Sequence, residues 1–190
     1  MRKRYEPNEI ISKGIYSEII IYNKDKSERC RAVIDTEDIP KINNTVWSLA
    51  SGGYIRTKYK NSGKSTCLHR VIMGIENKGL EILVDHINMN KLDNRKCNLR
   101  VVNKSQNSMN RTTPSNNTYS FRGISYDKRR NKFRAYIKIN GKQISLGYYN
   151  SFGNAKKARL KGEYKYFKEY SNKTELAIPL IEEFKSLNLI

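Results

Sequence analysis

Leu83-Val84-Asp85-His86-Ile87, then Asn88-Met89-Asn90-Lys91-Leu92-Asp93-Asn94-Arg95, then Asn98-Leu99-Arg100, is the stretch on which the reading of this chain turns. The first run is apolar up to an Asp-His pair, which predicts a short strand. The next eight residues are polar and turn-forming, which predicts an irregular loop. A second strand is expected near Leu99 to Val102. Asn103, with Gln106 three residues on, then has the pattern of a capping box for a helix from about Lys104 to Arg111. Asn98 follows His86 after eleven intervening residues, and Asn107 follows after eight more.

These residue types suit phosphodiester hydrolysis. That reaction needs an activated water, positive charge on the developing phosphorane and help for the departing 3′ oxygen. A neutral imidazole takes a proton from water near neutral pH, and His86 fits that role. One hard, oxygen-loving divalent ion, Mg²⁺ or Mn²⁺, would stabilise the phosphate and the leaving oxygen. Asp85 and Asn107 offer a carboxylate and an amide oxygen for it, leaving room for water and phosphate. Asn110, one helical turn on, is a rival to Asn107, and the spacing favours Asn107. Asn98 is suited to pinning the loop, because an amide donates and accepts at once. Adjacent residues on a regular strand point to opposite faces, so Asp85 and His86 share a site only if the strand ends or bends there. His69 lies in the apolar run Leu68 to Met73 and is read as a packed core residue before a phosphate contact. Arg70, Arg95 and Arg100 are candidates for backbone phosphates.

Leu68-His69-Arg70, Val84-Asp85-His86-Ile87-Asn88, Asp93-Asn94-Arg95, Asn98-Leu99-Arg100 and Gln106-Asn107 stand in order at spacings that resemble the HNH endonuclease family, in the subgroup written with Asn in the last position. The resemblance covers roughly Cys67 to Arg111, and its five ordered elements make it specific. It implies the same roles for four positions: His86 and Asn98 in catalysis, Asp85 and Asn107 on one divalent ion per site.

Composition supports a polyanion partner. The 190 residues hold 37 Lys and Arg against 18 acidic residues, a formal net charge of +19. A surface so basic repels itself, and nucleic acid is the commonest relief. Hydrophobic residues make up 37%, too many for a disordered chain, and no apolar run is long enough to span a membrane. No signal peptide follows the basic start, so the cytoplasm is the expected location. Cys30, Cys67 and Cys97 are widely spaced and too few, with two histidines, for a zinc site. They are expected as free thiols in or near cores.

The segment Tyr119 to Tyr170 carries fourteen Lys/Arg and three acidic residues. Phe121 to Tyr126, Lys132 to Asn140 and Gln143 to Gly147 read as three strands, with Asn140-Gly141 as a type I′ hairpin turn. Ser151 is expected to cap a helix that runs towards Tyr166 and presents Ala155, Ala158 and Gly162 on one small face. Alternation puts Phe133, Ala135, Ile137 and Ile139 inward, and Arg134, Tyr136 and Lys138 outward beside Gln143 and Ser145. Long basic and amide side chains on one exposed face suit a major-groove reader. Phe121-Arg122-Gly123-Ile124, Lys132 to Ile137 and Leu146-Gly147-Tyr148-Tyr149 resemble the Apetala2-type DNA-binding domain, whose sheet lies in the major groove. The sheet lacks that family's tryptophans, and Ser125 and Asp127 stand where its arginines are common. Arg122, Arg129 and Arg130 join the outward residues as candidates for DNA contact.

The expected fold is α+β. N-terminal β-hairpins (1–66) lead into a ββα-metal nuclease core (67–111) and a linker around Pro114 (112–118). A three-stranded antiparallel sheet with one packed helix (119–170) and a short helical tail (171–190) follow. The expected function is metal-dependent, site-selective cleavage of double-stranded DNA, resembling phage or intron-associated homing endonucleases. The expected state is a monomer on DNA, which would nick one strand, with double-strand cleavage left open; no protein partner is implied, and if phage-encoded it works in the bacterial host cytoplasm. The rival expectation is a non-catalytic DNA-binding regulator with a decayed nuclease core.

Overall fold

The computed structural model describes residues 6–58, 65–110 and 121–171. The proposed linker at 112–118 and nearly all of the proposed tail lie outside the described residues. The chain divides into two compact units, Met1–Asn103 and Lys104–Ile190. Secondary structure is mixed, with several small antiparallel sheets and few helices. Among the described residues no helix is long and apolar enough to cross a membrane.

The first unit opens with β1 (Ile10–Ser12), β2 (Tyr16–Tyr22) and β3 (Glu28–Asp35), which form a meander with β2 in the middle. The β-branched run of β2 buries Ile19 and Ile21 completely. Asp25 makes the β2–β3 turn by accepting from the Ser27 backbone N–H and hydroxyl. A short turn of 3₁₀ helix (Thr36–Asp38) leads into α1 (Ile39–Ile42). Then β4 (Ser48–Leu49), β5 (Ile55–Lys58) and β6 (Ser65–Cys67) form a second three-stranded sheet. The apolar run after it is a helix, α2 (Leu68–Ile72). The unit ends in a two-stranded ribbon, β7 (Ile82–His86) paired with β8 (Leu99–Asn103).

One core joins all of this. Ile19, Ile34, Trp47, Ile55, Leu68, Val84 and Leu99 are buried together. The sequence reading separated residues 1–66 from 67–111, yet the core runs across that line. The physical reason is size: a two-stranded ribbon is marginal alone, and each small sheet must bury its apolar face against another element. Each fully buried Ile contributes about 1.5–3 kcal/mol by leaving water. Asn8 stitches the layers, donating to the carbonyls of Ile20 and Trp47 and accepting from the Trp47 N–H at 2.6 Å.

The second unit contains α3 (Lys104–Met109), β9 (Ile124–Asp127), β10 (Lys132–Ile139), β11 (Lys142–Tyr149) and α4 (Phe152–Phe167). β10 is the middle strand of an antiparallel sheet. Asn140 and Gly141 have φ of 47° and 80°, the double left-handed geometry of a type I′ turn. The Ser151 hydroxyl caps α4 by accepting from the Asn154 N–H. Ala135, Ile137, Ile124 and Ala155 are buried between sheet and helix. Gly162 lets α4 lie close, since a Cβ there would meet Leu146 Cδ1 at 2.6 Å. Helix α3, read from sequence with the nuclease segment, packs with this unit: Met109 is buried against Ile137 and Phe167. The Ser105 hydroxyl accepts from the Asn140 N–H.

Candidate functional site

His86 is the last residue of β7, and the strand stops there because the polar loop turns away at once. The Met89 N–H donates to the His86 carbonyl at 2.9 Å, and Met89 takes a left-handed φ of 63°. Such a backbone persists in a side-chain-bearing residue only when its surroundings fix it. Asn98 does much of the fixing. Its side-chain oxygen accepts from the Asn88 N–H at 2.9 Å, and its amide donates to the Asp93 carbonyl at 2.8 Å. Its carbonyl takes the Ile87 N–H. The loop is also bound to β3: Val33 N–H donates to the Leu92 carbonyl and Asn94 N–H to the Val33 carbonyl at 2.7 Å.

The His86 ring is buried, with 4% exposed. It meets His69 edge to face with centroids 5.1 Å apart, and Tyr54 packs against both rings. His86 Nε2 lies 3.3 Å from the side-chain oxygen of Asn94, a residue with no exposed surface. Burial lowers the pKa of His86 below its ordinary value, opposed by the Asn94 hydrogen bond and the charges of Asp85 and Asp93. His69, offered from sequence as a packed residue, is 7% exposed, and its Nδ1 has no hydrogen-bond partner among the described residues. Burial, then the neighbouring His86 and Arg70, push its pKa down to about 3.

Asp85 is buried beside His86 and faces across the ribbon to Arg100, its register partner. Arg100 donates to Asp85 Oδ2 through Nε at 3.0 Å and through a terminal nitrogen at 2.7 Å. A carboxylate has a second oxygen and several lone-pair sites, so this pairing is compatible with ligation of a hard ion. Among the described residues no cluster of three or more His, Cys, Asp or Glu is gathered for a metal. Asp85 offers a carboxylate, a hard oxygen donor. Asn107 is half-buried on α3, in the second unit.

The arginines proposed for phosphate are engaged within the fold. Arg70 donates to the carbonyls of Ile82, Ile75 and Lys78 at 2.7–2.8 Å, fastening the loop between α2 and β7. Arg95 makes a two-pronged pair with Asp93 at 2.8 Å for both contacts, which lowers the Asp93 pKa. Cys30 and Cys67 are half-buried free thiols, whereas Cys97, expected near a core, is exposed on the loop. Its neighbour Lys96 is held through its N–H by Asp35 and through its ammonium by Glu37 and Asp38, which fixes this turn by polar contacts.

On the second unit, β10 sends Ala135 and Ile137 inward, while Lys138, Gln143 and Ser145 are exposed. Arg134 and Tyr136 are half-buried, with the guanidinium 5.8 Å from the Tyr136 ring. Arg130 lies over Tyr148 at 4.6 Å, bonds its hydroxyl and pairs with Asp127. Asp127 also takes the Arg129 N–H, so it shapes the β9–β10 turn. Arg122 turns inward and donates to the Ser108 carbonyl. Arg159, 2% exposed, pairs with Glu163 at 2.9 Å.

Sequence reasoning assigned no role to Asn94, Tyr54 or Val33. Asn94 stood inside the quoted Asp93-Asn94-Arg95 element, which was the available signal. Tyr54 and Val33 lie far away in the chain, and no local pattern points to them.

Residues 68–109 match the family model described as HNH endonuclease. "Protein 3.8" of Escherichia phage T7 is 38% identical over 60 residues, 32% of this chain and 50% of the relative. "Uncharacterized HNH endonuclease L560" of Acanthamoeba polyphaga mimivirus is 35% identical over 113 residues, 58% of this chain and 56% of the relative. The chain spans about half the length of these curated relatives. No solved structure matches.

Proposed function

We propose that the protein is a metal-dependent DNA endonuclease of the HNH type, in the Asn-terminated subgroup, that hydrolyses phosphodiester bonds at preferred sites. The observation that carries this reading is His86: a buried imidazole at the end of a strand, beside a carboxylate and against an amide oxygen, inside the residues that match the HNH model. Its lowered pKa keeps the ring neutral at neutral pH, the form that accepts a proton from water. Asn98 holds the loop, and Arg100 orients the Asp85 carboxylate. Asp85 and Asn107 are the residues proposed to hold one Mg²⁺ or Mn²⁺ ion. When bound, it would supply positive charge for the phosphate and the departing oxygen.

The second unit is proposed as an Apetala2-like reader. Lys138, Gln143 and Ser145, with Arg134, Tyr136, Arg129 and Arg130, form its DNA-facing surface. The biological role we infer is homing-type cleavage in a cytoplasm, by a monomer that nicks double-stranded DNA. One observation favours the rival reading of a DNA-binding regulator with an inactive core: the Asp85 carboxylate is already paired with Arg100. Incubation with supercoiled plasmid decides between them. Relaxation in Mg²⁺ that EDTA abolishes supports the nuclease. Binding that shifts the plasmid without relaxing it in Mg²⁺ or Mn²⁺ refutes the nuclease.

A further inference from the structure

We propose that Asn94 is a positioning residue for His86: its side-chain oxygen keeps the proton of the neutral ring on Nε2, so that Nδ1 is the nitrogen that takes the proton from water. This rests on the reading of His86 as the general base and goes beyond it by naming the atom and the residue that selects it.

The argument begins with the Asn94 amide, whose two ends are chemically distinct. Its nitrogen donates to the Leu92 carbonyl at 3.1 Å and to the Lys91 carbonyl at 3.4 Å. Carbonyls only accept, so this end must be –NH₂, and the end that faces His86 Nε2 at 3.3 Å must be the oxygen. An amide oxygen also only accepts. Nε2 must therefore carry hydrogen, because otherwise two lone pairs would oppose each other in a site with no exposed surface on the Asn94 side. In a neutral imidazole the other nitrogen then holds the lone pair.

The amide cannot swing away from this task. Its backbone N–H is bound to the Val33 carbonyl at 2.7 Å, and the next residue back pairs with Val33 as an isolated bridge. Tyr54 and His69 close on the His86 ring from other sides. The ring thus has a fixed edge towards Asn94.

Two substitutions separate this role from a purely structural one. Asn94→Leu and Asn94→Asp both lose the donor to Leu92 and Lys91, so both loosen the loop. Only Asp retains an acceptor for Nε2. The expected result is kcat for plasmid nicking about 10–100-fold below wild type for Asn94→Leu, with KM little changed, and an Asn94→Asp rate clearly above it. Equal rates for the two variants, or a faster Leu variant, would overturn the proposal. The second readout needs no activity. Two-bond ¹H–¹⁵N spectra of the full chain report which ring nitrogen is protonated, and the chain has two histidines, so His69→Phe assigns the signals. Wild type should show His86 protonated at Nε2 alone, and Asn94→Leu should move towards a mixture. A wild-type ring protonated at Nδ1, or a Leu variant with an unchanged spectrum, overturns the proposal. A protein that does not nick but shows the expected spectra refutes the nuclease reading and leaves the Asn94 contact standing.

Discussion

Replacing His69 by phenylalanine removes one titrating ring from the core of the first unit and should flatten the acid side of its stability curve. His69 is buried, its Nδ1 lacks a described partner, and its folded pKa lies at about 3. In the unfolded chain a histidine titrates near 6.5. The unfolded state thus binds more protons between these values. The stability that comes from a neutral, buried His69 is complete above about pH 6.5 and is lost as pH falls towards 3. The two pKa values give a loss of about 2 kcal/mol at pH ~5 and about 1 kcal/mol at pH ~6, relative to pH ~7.5. Phenylalanine keeps a flat ring against Tyr54 and His86 and does not titrate. The assay is urea unfolding followed by Trp47, the sole tryptophan, which is 3% exposed in the same core. It therefore reports this unit and not the other. Wild type should lose about 2 kcal/mol more than His69→Phe between pH ~7.5 and ~5. Absolute stability of the variant does not matter, because the comparison is of slopes. Parallel curves for the two proteins would refute the assignment of a depressed pKa to His69.

His86→Ala should lower the nicking rate by about 10²–10⁴ and spare DNA binding in a gel-shift assay; near wild-type cleavage removes His86 from the mechanism. Gly123→Ala should destabilise the second unit by about 2 kcal/mol or more, read as a fall in Tm: φ is +79° there and a Cβ would meet the Tyr136 carbonyl oxygen at 2.5 Å. Unchanged Tm would mean that the turn before β9 shifts freely. Arg134→Ala, if the residue reads a base, should cost about 1–3 kcal/mol at the preferred site and relax one position. If it touches phosphate, affinity should fall evenly across sequences and the salt slope by about one unit; unchanged affinity for both preferred and scrambled duplexes turns the sheet away from DNA.

Much of this was legible because it is local. The strand up to His86, the polar loop, the Asn140-Gly141 turn and the Ser151 cap are each written in a few adjacent residues, and a few backbone rules decode them. Asp85, His86 and Asn98 stood out by spacing alone. What escaped is non-local or depends on where a long side chain ends. Arg70 looks like a phosphate ligand in sequence, but a guanidinium also satisfies carbonyls, and three of them lie within its reach. Helix α3 follows the β7–β8 ribbon in sequence with no proline or glycine between, so nothing local separates it. Its partner is decided by Met109, whose apolar side chain finds the Ile137–Phe167 core. Asn94 was visible as a motif letter, but its task depends on Val33, on the opposite side of the unit's sequence.

The bond between Val33 and the loop has a kinetic side. Val33 and Asn94 are about sixty residues apart, so joining them closes a long loop, an event that follows local turns and hairpins. Until it closes, the segment with Asp85 and His86 carries the right letters on an unanchored backbone. During synthesis the imidazole acquires its fixed surroundings only after β8 has emerged and paired. A peptide cut to the matched residues lacks Val33 and would never acquire them.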